Sequence, residues 1–249
     1  MKVEIGNATL YLGDALEIMP TLPKRAHVVV TDPPYSSGGF NEAQKTGAAG
    51  SIGTTAERGK IQGDTMSSEG YIALLRRTLR ASDSAAAYVF TDWRMWGHTK
   101  EAVELAGFRL RGMLVWDKTA AGLGARWKMQ HELVAWGTKV VSKMGAGHAN
   151  VIAAPRSGNE WHPTEKPLTL MQTIVRNAES GAIVDPFMGS GTTGVACATL
   201  NRPFVGVEVD PRFFDAACRR IEQAQKQTKL FEETPPAEQL GLIATEGAQ

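Results

Sequence analysis

Apolar positions recur along the chain with two periods, which together predict alternating strands and helices. Short β-branched runs such as His27–Thr31 are typical of buried parallel strands. Segments with apolar positions three and four residues apart predict helices. The predicted strands cover residues 3–5, 8–12, 27–31, 85–91, 110–116, 132–136, 183–185 and 204–208, and the predicted helices cover 15–22, 68–81, 94–106, 167–177, 191–200 and 211–226.

This order of elements predicts an α/β fold, in which a mainly parallel sheet carries helices on both faces. The 249 residues are enough for one large domain, and we expect a single domain over residues 1–230. Residues 36–66 are rich in small residues without a clear period and predict a long mobile loop. Residues 141–161 are also irregular, and the polar residues 231–249 predict a flexible tail.

The composition excludes several classes of protein. Hydrophobic residues make up 43% of the chain and charged residues 21%, which is typical of a globular protein rather than a disordered one. No apolar run approaches the roughly 20 residues of a membrane helix, and residues 1–6 lack signal-peptide character. The two cysteines, Cys197 and Cys218, are too few for a zinc site or a disulfide framework. We therefore expect a cytoplasmic protein with no metal and no membrane partner.

Charge is distributed unevenly, although the formal net charge is only +1. Residues 109–156 carry eight basic residues against two acidic ones and form a candidate surface for a polyanion. An ordinary solvated face would explain the charge alone equally well. The candidate contacts to a polyanion in this stretch are Arg126, Trp127, Lys128, Lys139 and Lys143.

A glycine-rich motif, Asp185–Gly194, lies between a predicted strand and a predicted helix and contains the pattern G-x-G-x-x-G. Glycines there let the turn close and let a nucleotide-like ligand approach the backbone. Glu208 ends the next strand, where a carboxylate can accept hydrogen bonds from both hydroxyls of a ribose. NAD and S-adenosylmethionine both carry adenosine, so the motif fits a nicotinamide oxidoreductase as well as a methyltransferase.

A second motif, Asp32-Pro33-Pro34-Tyr35, follows a buried strand, at the end where ligands bind in open α/β sheets. The motif suits methylation of an aromatic amine, whose nitrogen lone pair is delocalised into the ring. The Asp32 carboxylate and the Pro33 carbonyl could accept the amino hydrogens and stabilise the charge that develops on nitrogen. The prolines fix the backbone, and Tyr35 offers a flat face to a flipped-out base.

Together and in this order, the two motifs resemble the beta group of amino DNA methyltransferases. That resemblance covers residues 10–222 and implies a circularly permuted, Rossmann-like class I methyltransferase fold. It also implies S-adenosylmethionine as cofactor and double-stranded DNA as partner. Gly13–Ala15 resembles the family's acidic motif near the cofactor adenine, and His162–Pro167 resembles the segment that holds its methionine part.

The resemblance also assigns roles to single residues. It implies a catalytic role for Asp32, Pro33, Pro34 and Tyr35. It implies a cofactor-binding role for Asp14, His162, Thr164, Lys166, Asp185, Phe187, Gly189, Gly191, Thr192 and Glu208. Residues 119–160 form a small DNA-recognition insertion by the same comparison, which favours short or relaxed site recognition. We interpret His131 and Glu132 as a packing pair at a strand edge, and Trp93 and Trp96 as core residues.

The resemblance favours an adenine-N6 DNA methyltransferase, because the first motif begins with Asp32, whereas Ser is commoner at this position among the cytosine enzymes of the family. Cytosine-N4 methylation is the alternative within the family. A nicotinamide oxidoreductase leaves residues 32–35 and 162–167 unexplained, and a DNA-binding protein with a decayed site is a third alternative. A homodimer and a cognate restriction enzyme, as in restriction-modification systems, are compatible with the resemblance. The sequence specifies neither of them, nor a recognition sequence.

Overall fold

The computed structural model describes residues 1–23, 27–34, 66–122, 126–139, 147–157 and 165–232. Its strands are β1 Lys2–Ile5, β2 Ala8–Leu12, β3 His27–Thr31, β4 Ser84–Thr91, β5 Arg109–Asp117, β6 His131–Thr138, β7 Val151–Ala153, β8 Ala182–Asp185 and β9 Phe204–Glu208. Its helices are α1 Ala15–Ile18, α2 Ser68–Ala81, α3 Trp96–Leu105, α4 Leu168–Asn177, α5 Thr192–Thr199 and α6 Pro211–Glu232, with a 3-10 turn at Met19–Thr21. No helix in these ranges is long and apolar enough to cross a bilayer.

The strands form one sheet in the order β1-β2-β9-β8-β3-β4-β6-β5-β7. The five strands from β2 to β4 in that order are mutually parallel, whereas β6 runs antiparallel to both of its neighbours. The predicted mainly parallel sheet is confirmed. Although β2 and β3 are consecutive in the chain, β9 and β8 lie between them, which is the expected permuted arrangement.

Helices cover both faces of the sheet, and strand β3 shows why its apolar run is continuous. Val28 and Val30 belong to a core that includes residues of α4, α5 and α6, whereas Val29 belongs to a second core with α2 and α3. Successive side chains of a strand point to opposite faces, so a strand covered on both sides is apolar at every position.

The structure corrects the interpretation of residues 141–161 as wholly irregular, because Val151–Ala153 form the edge strand β7. This strand pairs in parallel with β5, and the Trp116 indole nitrogen donates a 2.7 Å hydrogen bond to the Ala154 carbonyl beside it. A run of three half-exposed residues is too short for a periodic signal. Both β6 and β7 fall within residues 119–160, so this predicted insertion is partly integral to the sheet.

Two other predicted segments fall largely outside the described residues. They are the loop at 36–66, of which only residue 66 is described, and the tail at 231–249. Helix α6 extends to Glu232, so the predicted tail begins within its last turn.

Parallel strands end at a common edge, which gathers residues from distant parts of the sequence. We call this edge, marked by Asp14, Asp32, Asp92, Asp185 and Glu208, the carboxyl edge. Since β6 is antiparallel to β4, its first residues rather than its last lie at the same edge. The site therefore draws on strand ends from both halves of the chain and on one strand beginning.

Candidate functional site

The first predicted motif lies at the carboxyl edge, directly after β3. Pro33 is buried, Asp32 and Pro34 are partly exposed, and Tyr35 lies outside the described residues. Oδ2 of Asp32 accepts a hydrogen bond from Nζ of Lys166. The other oxygen, Oδ1, is buried and has no hydrogen-bond partner in the described part of the chain. One oxygen of this carboxylate, Oδ2, is thus hydrogen-bonded within the protein, whereas Oδ1 can still accept a hydrogen bond.

Asp32 is the end of a chain of alternating charges, which we call the acid–lysine cluster: Asp32, Lys166, Glu132 and Lys118. Nζ of Lys166 also lies 3.3 Å from Oε2 of Glu132. Oε1 of Glu132 is 2.5 Å from Nζ of Lys118. The side chains of Lys166, Lys118 and Glu132 are only 9%, 15% and 18% exposed, and that of Asp32 is 26% exposed. A bridge thus runs from β5 and β6 to the first motif.

Burial shifts the pKa values of the cluster, and the oppositely charged neighbours oppose those shifts. Burial raises the pKa of Asp32, Lys166 opposes the rise, and Glu132 adds to it. Burial alone would raise the pKa of Glu132, but Lys166 and Lys118 together hold it below its ordinary value. Burial alone would lower the pKa of Lys166, but Asp32 and Glu132 raise it. Lys166 is therefore a cation shared by two carboxylates.

The interpretation of Glu132 as a packing residue is wrong, since its carboxylate bridges two lysines. The sequence shows only a carboxylate at the start of an apolar strand. It does not indicate that Lys118 and Lys166 are the partners of that carboxylate. The structure does bring His131 opposite Asp117, as expected at a strand edge. Within the described ranges, no group of three or more His, Cys, Asp or Glu residues could hold a metal ion.

The glycine turn of the second motif follows β8 at the same edge. Gly189 and Gly191 have φ angles of 54° and 83°, a left-handed conformation that other residues rarely adopt. The Gly189 N–H donates a 2.9 Å hydrogen bond to Oε2 of Glu208. Oε1 of Glu208 accepts hydrogen bonds from the N–H groups of Val209 and Asp210, at 2.9 and 2.8 Å. The turn and the end of β9 are thus locked together.

Glu208 keeps acceptor capacity despite these contacts, because an ionised carboxylate offers about four lone-pair sites and three are used. Burial raises the pKa of Glu208, and the three backbone N–H groups oppose that rise. The carboxylate of Asp14 caps α1, where Oδ1 accepts a 2.7 Å hydrogen bond from the Leu16 N–H, and its side chain is exposed. Gly13 N–H donates to the Glu208 carbonyl at 2.8 Å, which joins the two strand ends.

These residues fit an adenosine group. Glu208 can accept from ribose hydroxyls, Asp14 can accept from an adenine amino group, and the half-exposed Val209 beside them offers an apolar surface. Phe187 and Gly189 are partly exposed along the same turn, whereas Gly191 and Thr192 are buried within it. His162 and Thr164, predicted at the methionine part of the cofactor, lie outside the described residues.

Asp185, also predicted near the cofactor, is engaged by the protein itself. Oδ1 accepts hydrogen bonds from the Thr31 hydroxyl at 2.7 Å and the Phe187 N–H at 3.2 Å. Oδ2 accepts from the Thr193 hydroxyl at 2.7 Å. Burial raises the pKa of Asp185 to about 6, although these hydrogen bonds oppose the rise and the Asp32 charge adds to it. Asp185 ties β8 to β3 and α5, beneath both motifs.

Arg220 of α6 is a further residue that the sequence did not indicate. Its guanidinium donates to the Ser190 carbonyl at 2.8 Å, the Ser190 hydroxyl at 2.9 Å and the Thr192 hydroxyl at 3.3 Å. It also donates to Oε1 of Glu165 at 2.6 Å. Arg220 thereby fastens the glycine turn to the residue that precedes Lys166.

The predicted DNA contacts divide between two edges. Arg126, Trp127 and Lys128 are exposed and precede β6, on the side of the carboxyl edge, with Trp127 84% exposed. Lys139 follows the other end of β6 and lies 4.4 Å from the centre of the Phe108 ring. The structure thus does not bring Lys139 to the carboxyl edge, and Lys143 lies outside the described residues.

Trp93 is not the core residue that its spacing from Trp96 predicts. Its side chain is 53% exposed just beyond β4, and the Arg94 guanidinium lies 5.2 Å from the ring centre. Trp96 is partly buried and packs against the core beneath α3, as predicted.

Comparison of sequences relates the chain to known proteins. Residues 26–219 match the N6/N4 methyltransferase family described as DNA methylase. YubD of Escherichia coli strain K12 is 29% identical over 220 residues, which cover 86% of this chain and 90% of YubD. The type II methyltransferase M2.LlaDCHI of Lactococcus lactis subsp. cremoris is 24% identical over 244 residues, covering 87% of this chain and 90% of that protein.

Solved structures share the fold at lower identity. M1.HpyAVI, solved as a complex with SAM, superposes with a TM-score of 0.63 at 22% identity, over 86% of this chain and 98% of the other. TTHA0409 of Thermus thermophilus, complexed with S-adenosyl-L-methionine, gives 0.61 at 20% identity, over 87% and 95%. The cytosine-N4-specific PvuII DNA methyltransferase gives 0.65 at 16% identity, over 90% and 92%.

Proposed function

Because the chain belongs to the N6/N4 DNA methylase family, we propose that it transfers a methyl group from S-adenosylmethionine to N6 of adenine in DNA. The observation that carries this proposal is the state of Asp32 at the carboxyl edge. Its Oδ2 is held by Lys166, while its Oδ1 is buried and has no partner in the described residues. An acceptor prepared in this way suits the amino group of a base.

The chemistry requires an amino nitrogen with a delocalised lone pair to become a nucleophile. Oδ1 of Asp32 and the carbonyl of Pro33 would accept its two hydrogens, favour a tetrahedral nitrogen and stabilise the positive charge that develops there. The base would first leave the helical stack, at a cost of a few kcal/mol, and Tyr35 would stack on its face. When bound, the cofactor would supply an electrophilic methyl group for direct displacement: the N–C bond would form as the S–C bond of the cofactor breaks, the demethylated cofactor would leave, and the nitrogen would give up one proton to solvent or to Asp32. No covalent bond to the protein is required.

The cofactor part of the proposal rests on the second motif. Glu208 would accept from the ribose, Asp14 from the adenine amino group, and the backbone at Phe187, Gly189 and Gly191 would line the cleft. Two proteins of the same fold, M1.HpyAVI and TTHA0409, were solved with this cofactor, which supports the same assignment here. Lys166 and the residues His162 and Thr164 would lie toward the methionine part.

Adenine is favoured over cytosine because Asp rather than Ser begins the first motif. Cytosine N4 is the second candidate, since the PvuII enzyme with a similar fold is cytosine-N4-specific. Arg126, Trp127 and Lys128 are the proposed DNA contacts, because they are exposed beside the carboxyl edge. Relatives named type II methyltransferases support a place in a restriction-modification system as a further proposal.

The test is methyl transfer from labelled S-adenosylmethionine to double-stranded DNA, followed by digestion to nucleosides. We expect the label in N6-methyladenine. Label in N4-methylcytosine would move the substrate to the second candidate, and label in neither nucleoside would overturn the proposal. A parallel incubation without DNA controls for methylation of the protein itself.

A further inference from the structure

Glu132 of the acid–lysine cluster contacts the same lysine as Asp32, which is the hydrogen-bond acceptor in the proposed function. Glu132 begins β6, the strand that runs antiparallel to β4. Because β6 runs in the opposite direction to β4, its first residues rather than its last lie at the carboxyl edge. Glu132 thus reaches Lys166, which lies 34 positions further along the chain.

We propose that Glu132 is a positioning residue, which draws Lys166 to one side of Asp32 so that only Oδ2 is occupied and Oδ1 remains free for the target amino group. This inference rests on the proposed role of Asp32 as acceptor. It goes beyond that role because it explains how a buried carboxylate can lie beside a lysine and still offer an oxygen to a ligand.

The geometry supports a shared lysine. Nζ of Lys166 donates a hydrogen bond to Oδ2 of Asp32 and forms a looser ion pair, at 3.3 Å, with Oε2 of Glu132, which accepts no hydrogen bond from the described residues. The ammonium thus lies between the two carboxylates and is held more closely by Asp32. A lysine ammonium has three donors on a flexible stem and, without a second anion, could turn to cover both oxygens of Asp32. The Lys118 ammonium, 2.5 Å from the other oxygen of Glu132, restrains that carboxylate in turn.

Titratable and charged groups from several elements face Asp32. They are Lys166 before α4, Glu132 on β6, Lys118 after β5, Asp185 on β8 and Tyr71 on α2. Lys166 lowers the pKa of Asp32, and Glu132 raises it. Removal of the Glu132 charge should therefore lower the pKa of Asp32, while removal of the Lys166 charge should raise it. These opposite signs allow the role of Glu132 to be tested without catalysis.

The experiment is a carboxyl ¹³C NMR titration of the free protein, with the Asp32 signal assigned by its loss in Asp32→Asn. Glu132→Gln should shift the Asp32 midpoint to lower pH, and Lys166→Met should shift it to higher pH. Glu132→Asp restores a carboxylate and should return the midpoint toward that of the wild type. Glu179→Gln is the matched control, since Glu179 contacts Tyr88 and Trp136 of the same strand pair and not Asp32.

The same variants are then assayed for methyl transfer. We expect Glu132→Gln to lower kcat by about 10- to 100-fold with little change in KM, because the acceptor would be misplaced while the groups that bind the substrate would be kept. An unmoved Asp32 midpoint in a folded Glu132→Gln protein would overturn the inference. Because the titration needs no substrate, it tests the inference separately from the proposed function. An unmoved midpoint would overturn the role of Glu132 even if the wild type methylates adenine, and a moved midpoint would support that role even if the substrate is another base.

Discussion

At the scale of single residues, the proposed role of Asp32 imposes two requirements that normally conflict. It must be buried to act strongly on a developing charge, and it must remain able to accept a hydrogen bond. The first requirement is met because Oδ1 of Asp32 is buried and a cation, Lys166, lies against the mostly buried carboxylate. The free Oδ1 answers the second. A single substitution at Asp32 should therefore affect the chemical step far more than binding.

Asp32→Ala should lower turnover by about 100-fold or more, the scale for loss of one preorganised electrostatic group. Affinity for S-adenosylmethionine should change little, because Glu208 and Asp14 lie at other strand ends. Calorimetry with the cofactor and methyl transfer under single-turnover conditions measure the two effects separately. Lys166 keeps Glu132 as a partner in this variant, which favours a folded protein. Turnover like that of the wild type would contradict the assignment.

Asp185 should make stability depend on pH. Its pKa rises from the ordinary value of 3.8 to about 6 in the folded protein, so between these values the folded state binds more protons than the unfolded state. The free energy of unfolding should therefore fall as pH rises from about 4 to about 6, and change little from this cause above that range.

Urea denaturation at several pH values measures this dependence. Asp185→Asn should flatten the slope, because an amide can still bond to the hydroxyls of Thr31 and Thr193 but does not ionise. Asp215→Asn, a change at an exposed carboxylate of α6, should leave the slope in place. Parallel curves for the wild type and Asp185→Asn would show that another group is responsible.

At the scale of elements, α6 does more than cover the sheet. Arg220 on its inner face joins the glycine turn to Glu165, and the two charged side chains are only 13% and 7% exposed. The Arg220 guanidinium thus links the glycine turn to the segment that carries Lys166. Removal of one member of a buried pair leaves the other without compensation, and this is usually costly.

Arg220→Met should reduce the free energy of unfolding by about 3 kcal/mol, because Glu165 remains buried without the Arg220 cation. The double variant Arg220→Met/Glu165→Gln should lose less free energy of unfolding than the sum of the losses in the two single variants. In the double variant neither charge remains buried without its partner. Chemical denaturation of the four proteins gives this coupling. Arg219→Met, on the outer face of the same helix, should cost little. Additive losses would argue against a coupled pair.

Most elements follow from sequence patterns, whereas the contacts between them do not. The run His27–Thr31 predicts a buried strand because every position is covered by a helix layer. Strand β7 escaped prediction because three edge residues carry no period. The bridge from Asp32 to Glu132 could not be foreseen, because it depends on the direction of β6. No local pattern in residues 131–138 specifies whether that strand is parallel or antiparallel.

At the scale of the whole molecule, charge is distributed between the two edges of the sheet. Arg126 and Lys128 lie toward the carboxyl edge, and Lys139 lies toward the opposite one. A nearly neutral chain can therefore still present basic residues at the carboxyl edge, where the proposed DNA contacts lie. The exposed Trp93 and Arg94, beyond the end of β4, extend the same side of the molecule.

Arg126→Gln and Lys128→Gln should weaken DNA binding for all sequences. The slope of log affinity against log salt should fall by about one unit for each phosphate that is no longer neutralised. Lys139→Gln is the matched control, because it removes the same charge at the far edge and should leave the slope unchanged. Fluorescence anisotropy with a labelled duplex over a range of salt concentrations measures all three. An equal effect of Lys139→Gln would indicate non-specific attraction rather than a DNA-facing edge.

The strand order also constrains how the protein can be made. Strands β2 and β3 are synthesised well before β8 and β9, although β9 and β8 lie between them in the sheet. Until residues 182–208 have been synthesised, β2 and β3 lack the two strands that join them in the sheet, so each has an unpaired edge. Contacts of such long sequence separation form slowly and leave apolar edges exposed meanwhile. The proposed cofactor cleft takes residues from both sides of this gap, so it can form only after Glu208 has been synthesised.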